Sequence, residues 1–217
     1  MTGTYALVSV ADKSGIVALA RGLNRWGIEV IATSGTARVL SYAAIDATEI
    51  AAVTRTPELM GGRVKALHPL IFGGLLCRWD HAADEADARA LGVPRIGVLA
   101  CNFADLPPPE GRRSDRPEDL YAATALIDIG GPAMVRAAVK NAAHVLPVVD
   151  PADYPSVLDA MHENRGDVAS VGPGLREYLV RKAAARTAAY DHSVHRLVGM
   201  ETPESRPPSP PVSVGWL

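Results

Sequence analysis

The stretch YALVSVADKSGIVALARGLNRWGIEVIATSGT, residues 5–36, decides the fold. Tyr5 to Val10 is a short apolar run of strand length. Ser14 is placed to cap a helix reaching about Trp26, whose apolar residues Ile16, Leu19, Ala20 and Leu23 recur at helical spacing. Gly27 ends that helix, and Ile28 to Ala32 is a second apolar strand. The polar turn Thr33-Ser34-Gly35-Thr36 then opens another helix through Leu40 and Tyr42. Strand, helix, strand at this spacing predicts a crossover connection and a largely parallel sheet.

Outward from that unit the pattern continues with less regularity. Residues 45–53 read as a third strand, and Gly61 to Pro69 (GGRVKALHP) as a loop, being too rich in glycine and proline for a regular element. Asp80 to Leu91 is an alanine-rich polar helix, and Arg95 to Ala100 a strand that ends on Cys101-Asn102. Pro107 to Arg116 (PPPEGRRSDR) is a polar excursion. Pro117 opens a helix to about Ile127, and Pro132 opens another. Val145 to Val149 is a strand and Ala152 to His162 a helix. A long helix runs from about Gly174 to Val198, with Leu175, Leu179, Ala183, Ala184, Tyr190 and Val194 as its contact stripe. The expected architecture is a single α/β domain with a mostly parallel central sheet flanked by helices, over residues 1–200. A Pro-rich tail without regular structure follows at 201–217.

Composition narrows the function. Of 217 residues 48% are apolar, enough for a sizeable core, and 22 basic against 24 acidic side chains leave a formal charge of −2. That balance carries no electrostatic footprint for nucleic acid. No apolar run approaches the roughly 18 residues of a membrane span. The N-terminus lacks the basic and apolar regions of a secretory signal, and two cysteines, Cys77 and Cys101, make no disulfide framework. The expectation is a soluble, cytoplasmic protein. The six histidines show no metal-ligand spacing, so no metal site is expected.

The chemistry-bearing residues cluster at the ends of apolar segments, where an α/β sheet presents its ligand edge. Thr33, Ser34, Gly35 and Thr36 follow a strand and open a helix, so their unpaired backbone N–H groups suit a phosphate. A simple capped helix start explains the same four residues equally well. Lys13 follows the first strand in the same manner. Arg63 and Lys65 flank Val64, which on an extended loop turns both side chains one way. His68, between Leu67 and Pro69, suits a structural hydrogen bond better than catalysis. Asp128 closes an apolar segment and precedes Gly130-Gly131, a place for a buried proton acceptor or for a helix cap. Lys140 and Asn141 are expected at the same edge, and Cys101 reads as a packing or binding residue rather than a nucleophile.

The motifs SVADKSG (9–15), TSGTARVL (33–40), GGRVKALHP (61–69), ACN (100–102), DIGGPAMVRAAVKNAAHV (128–145), VVDPADY (148–154) and KAAARTAAYD (182–191) together resemble the IMP cyclohydrolase family. That family forms the amino-terminal domain of a bifunctional purine-biosynthesis enzyme whose second domain is an AICAR formyltransferase. The resemblance spans about residues 5 to 199 and implies a methylglyoxal synthase-like fold and a homodimer. It also implies ring closure of a formamido-imidazole-carboxamide ribotide to inosine monophosphate with loss of water. No cofactor is implied. By resemblance Lys65, Asp128 and Lys140 match the catalytic residues. Lys13, Thr33, Ser34, Gly35, Thr36 and Arg63 match the phosphate and ribose side; Cys101, Asn102, Ile129, Gly130 and Gly131 match the base-binding wall. The second domain is not expected within these 217 residues, so formyl transfer would fall to a separate formyltransferase.

Four positions depart from the family pattern. Ala66 stands for a threonine in the substrate loop, Ala104 for an active-site tyrosine, Ala11 for a serine, and Ser34 for a glycine. Phe103, one residue from the tyrosine position, should face the opposite way on an extended chain. Retained charges with lost polar contacts leave two alternatives beside the ordinary purine precursor: an analogous azole ribotide, or a nucleotide-binding partner or sensor of weak activity.

Overall fold

The computed structural model describes residues 3–107 and 117–198, with the side chains of 117–120 excepted. Five strands form one sheet in the order β3-β2-β1-β4-β5, every neighbouring pair parallel: β1 Thr4–Val10, β2 Glu29–Ala32, β3 Thr48–Glu49, β4 Arg95–Asn102 and β5 Leu146–Val148. The central strand β1 shows why. Ala6, Val8 and Val10 enter one core, whereas Tyr5 and Leu7 enter the other, so both faces of the strand must be covered. Helices α1 (Ile16–Asn24), α2 (Ser34–Tyr42) and α8 (Tyr154–Glu163) contribute to the first core. Helices α4 (Pro69–Leu76) and α7 (Gly130–Lys140) contribute to the second. The 25-residue helix α9 (Pro173–Leu197) gives Leu179 to the first core and Ala183 and Tyr190 to the second. Short helices α3 (Ile50–Thr54), α5 (Ala82–Leu91) and α6 (Pro117–Thr124) complete the chain.

Several expectations are corrected by local physics. Residues 45–53 are not one strand: two residues pair with β2 and Ile50 then starts α3. Ser14 does not cap α1. Its N–H donates to Asp12 Oδ1 at 2.8 Å, and Gly15 takes the position before the helix with φ +68°, a conformation that suits glycine. The apolar run after Pro69 is a helix that the loop reading stopped short of, capped by His68, whose Nδ1 accepts from Leu70 N–H at 3.2 Å. Helix α7 begins two residues before Pro132, because Asp128 Oδ1 accepts from Gly131 N–H at 3.2 Å and lets both glycines join the first turn. Ala184, expected in the contact stripe, is exposed, while Thr187 is buried and bonds back to Ala183 and Ala184 carbonyls. Most of the polar excursion at 107–116 and the tail at 201–217 lie outside the described residues.

Asp150 and the buried Asp153, just after β5, both pair with Lys182 of α9, at 2.7 and 2.9 Å. The Lys182 hydrogen bond, with the Ala152 N–H, holds the Asp150 carboxyl below its ordinary range. Stability from this lowered carboxylate is fully present above its unfolded value and is lost as pH falls through the folded one. We therefore expect Lys182→Met to cost roughly 1.5–3 kcal/mol in urea melts at pH 7, with the gap to the parent shrinking below about pH 4.

Candidate functional site

The sheet order reverses between β1 and β4, and in such sheets ligands bind in the crevice beyond the strand carboxyl ends at that reversal. Asn102, the last residue of β4, occupies this crevice. Its Oδ1 accepts from Ala11 N–H at 2.7 Å and Asp12 N–H at 2.8 Å, and its Nδ2 donates to Asp12 O at 3.0 Å. Three bonds fix the loop after β1, which sequence reading did not foresee: Asn102 shapes the site as much as it lines it. Lys13 lies on that loop with Nζ on the carbonyls of Val10 (3.1 Å) and Ala11 (3.4 Å).

On the neighbouring strand, Thr33 precedes α2 in extended conformation and its side chain makes no cap to backbone. Its carbonyl receives Thr36 N–H and Ala37 N–H, and its hydroxyl meets Thr36 Oγ1 at 3.4 Å. The first two N–H groups of the helix, on Ser34 and Gly35, therefore face outward at the positive end of the helix dipole. A hairpin arches over this end. Leu59 and Val64 exchange both backbone bonds (3.1 and 3.3 Å), which sets Glu58 beside Lys65 as the next cross-strand pair. Glu58 Oε2 lies 3.6 Å from Lys65 Nζ. Gly62, with φ +85°, leaves the room Lys65 needs, since a Cβ there would stand 2.8 Å from Lys65 Cε.

Arg63 is exposed at the hairpin tip in a helical conformation, so the expected shared direction of Arg63 and Lys65 does not hold. Ala66 is buried, its methyl in the second core rather than toward the crevice. A threonine hydroxyl at that place would enter apolar surroundings.

Asp128 is exposed rather than buried, but it is held tightly. Its N–H donates to Tyr190 Oη at 2.7 Å, and its carboxylate caps Gly131. Phe103 is buried with its ring edge-on to Tyr190 at 4.8 Å, and Ala104 is exposed, so the two face apart as the alternation of an extended chain requires. Arg186 of α9 locks the segment: its guanidinium lies 4.7 Å over the Phe103 ring, donates to Phe103 O at 2.7 Å and pairs with Asp105 at 2.9 Å. Tyr190 is expected from the sequence only as a packing residue of the long helix and Arg186 not at all, because nothing local marks a residue 62 positions away as an aspartate's support. Cys101 is fully buried with Sγ toward Gly131 O at 3.8 Å, and burial followed by the nearby Asp128 charge pushes its thiol up, so it stays protonated and inert. Ile129 is exposed at the start of α7, beside Gly130.

Lys140 does not share this edge. Helix α7 starts beside the end of β4 and delivers the chain to the beginning of β5, so Lys140 sits at the opposite edge of the sheet, about 16 Å of helix from Gly130. Asn141, also expected at the ligand edge, is buried there and donates to the carbonyls of Leu75 and Cys77. Within one chain, then, Lys13, the α2 N-terminus, Asn102, Lys65 and Asp128 flank one edge, and Lys140 lies away from it. Among the described residues, no three His, Cys, Asp or Glu side chains are grouped to hold a metal ion, and no helix is long and apolar enough to cross a membrane.

Known proteins share this framework. The chain is 43% identical to the bifunctional purine biosynthesis protein PurH of Anaeromyxobacter dehalogenans over 93% of its length, and 41% identical to PurH of Myxococcus xanthus over a similar share. It spans only 37–38% of the length of those relatives. A solved structure described as ForH superposes with a TM-score of 0.80 at 38% identity, covering 92% of this chain and all of that one. Residues 15–195 match the family described as MGS-like domain, and with the parallel sheet and its crevice this shows that the chain belongs to that family.

Proposed function

We propose that this protein is a cytoplasmic cyclohydrolase that closes the six-membered ring of a formamido-imidazole-carboxamide ribotide, giving inosine monophosphate and water. The observation that carries the reading is the gathering of an anion-binding helix start, two lysines and a firmly held aspartate at one sheet edge. The similarity to the PurH cyclohydrolase region supports it. Lys13 and the Ser34 and Gly35 N–H groups receive the phosphate, and Asn102 with the Ile129-Gly130-Gly131 segment faces the base. In the reaction the carboxamide nitrogen attacks the formyl carbon and forms the new C–N bond. Asp128 takes the proton from that nitrogen as the carbonyl opens to a hydroxyl protonated by lysine. A second protonation then releases that oxygen as water, while the formamido nitrogen loses its own proton and forms the ring C=N bond. Orientation of the two arms supplies much of the remaining barrier reduction. The formylated substrate is the product of a preceding formyl transfer.

Lys140 enters this scheme from a second copy. We assign the protein as a homodimer in which Lys140 of one chain faces the edge carrying Asp128 of the other. Co-expression of Asp128→Asn and Lys140→Ala chains tests this directly. Each alone should be nearly inactive, while random pairing gives about a quarter of parental turnover, because half the dimers then hold one complete site. A mixture no more active than its components would remove Lys140 from the chemistry.

A second reading rests on Ala104, which is exposed where the cyclohydrolase family carries a tyrosine, and on Asp105 beside it, held by Arg186. This altered wall favours an analogous azole ribotide as substrate. Rates of ring closure with imidazole and other azole ribotides, followed by ultraviolet absorbance, separate the two readings; a clear preference for imidazole rejects the second.

A further inference from the structure

The anion seat already holds a carboxylate. Ser34 is the first residue of α2, and its Oγ–H donates to Glu58 Oε1 at 2.6 Å, while Glu58 Oε2 faces Lys65. Glu58 thus sits on the Ser34 hydroxyl at the helix end assigned to the phosphate, and ties up the Lys65 ammonium beside it. The hairpin register turns it inward, since Glu58 and Lys65 are the pair next to the Leu59–Val64 bridge. What space remains among Thr33, Ser34, Glu49, Thr56, Glu58 and Lys65 is a cavity of about 10 Å³, room for one water and far too small for a phosphate. A phosphate dianion and this carboxylate do not share the seat, because like charges at contact distance repel. The hydroxyl that fastens Glu58 belongs to Ser34, one of the positions where this chain departs from the family's glycine, which has no such donor.

We propose that Ser34 and Glu58 form a latch that sets the affinity of the phosphate seat, the hairpin carboxylate being a resident anion that an incoming ribotide phosphate must displace. Displacement frees Lys65 from Glu58 at the moment the substrate arrives. The inference rests on the phosphate seat assigned above. A latch closed about nine-tenths of the time lowers apparent affinity about tenfold.

Calorimetric titration of the full chain with inosine monophosphate, inorganic phosphate and inosine tests the latch. Glu58→Gln, with Glu58→Ala as a second variant, should bind the monophosphate and inorganic phosphate about tenfold more tightly than the parent, with inosine affinity unchanged. Glu49→Gln removes a charge from the same pocket without touching the latch and should tighten binding less than about twofold. Unchanged or weaker phosphate binding in both Glu58 variants overturns the proposal, and so does equal tightening in Glu49→Gln, which would reflect only the general field. If the parent and every variant ignore the monophosphate but bind inosine, the phosphate seat itself is misplaced, and the functional reading falls with the latch.

Discussion

Asp128→Asn is expected to lower turnover by about a thousandfold while changing product affinity by less than about tenfold. The substitution keeps the shape of the side chain and one oxygen to accept from Gly131 N–H, so the first turn of α7 and the Tyr190 contact survive. What it removes is the ability to take a proton, and general-base contributions are typically worth 10²–10⁴ in rate. A fall in kcat with little change in binding is the signature of an interaction needed for the reaction rather than for holding the ligand. Steady-state kinetics with the formylated precursor and titration with inosine monophosphate measure both quantities. His68 is the rival base, but its Nδ1 is already engaged with Leu70 N–H at the start of α4. Near-normal turnover in Asp128→Asn, together with a folded but dead His68→Ala, would transfer the role to His68.

Gly131→Ala should be nearly as damaging although it adds one methyl group. A Cβ at Gly131 would stand 2.6 Å from Asp128 Oδ2 and 3.0 Å from Phe103 Cδ1. The ring cannot give way, because Tyr190 stands edge-on to it and Arg186 covers its face. The carboxylate must move instead, and a displacement near 1 Å in a catalytic group costs on the order of 10²-fold in rate. Overpacking adds about 1–3 kcal/mol of destabilisation. Gly130→Ala is the comparison: its Cβ would meet nothing nearer than Asp128 Oδ1 at 3.9 Å, so both losses should be far smaller. Equal kinetics for the two alanine variants would show that Asp128 tolerates displacement.

The sequence made the sheet legible because β1, β2 and β4 are apolar runs ended by polar residues, and amphipathic α1 follows a plain helical period. It misled over residues 45–53, where an apolar composition fits a strand and a short helix equally well. Site residues adjacent to strand ends, such as Lys13, Thr33 to Thr36 and Asn102, were visible for the same reason. Asp128 was visible as a residue but not in its setting: the aspartate is exposed, and its partners come from α9. Lys140 was misplaced at the ligand edge because the motif that contains it is continuous in sequence. Eleven residues of helix nevertheless carry its end across the sheet. Glu58 carried no signal of its own, since its partners Ser34 and Lys65 meet it only through the hairpin register.

The hydrogen bond from Asp128 to Tyr190 spans 62 residues of chain and has a consequence for the timing of synthesis. A ribosome adding about 5–20 residues per second needs roughly 3–12 s to go from one partner to the other. During that interval every nominal residue of the site up to Asp128 exists, yet the Asp128 N–H lacks its Tyr190 partner and Phe103 lacks the ring and guanidinium that hold it. A nascent chain can form its strands early, but it gains a working edge only when its last long helix docks. If the edge carries the proposed chemistry, chains truncated before Tyr190 are expected to keep the sheet and lose turnover, which assay of a series of stop-codon variants would check.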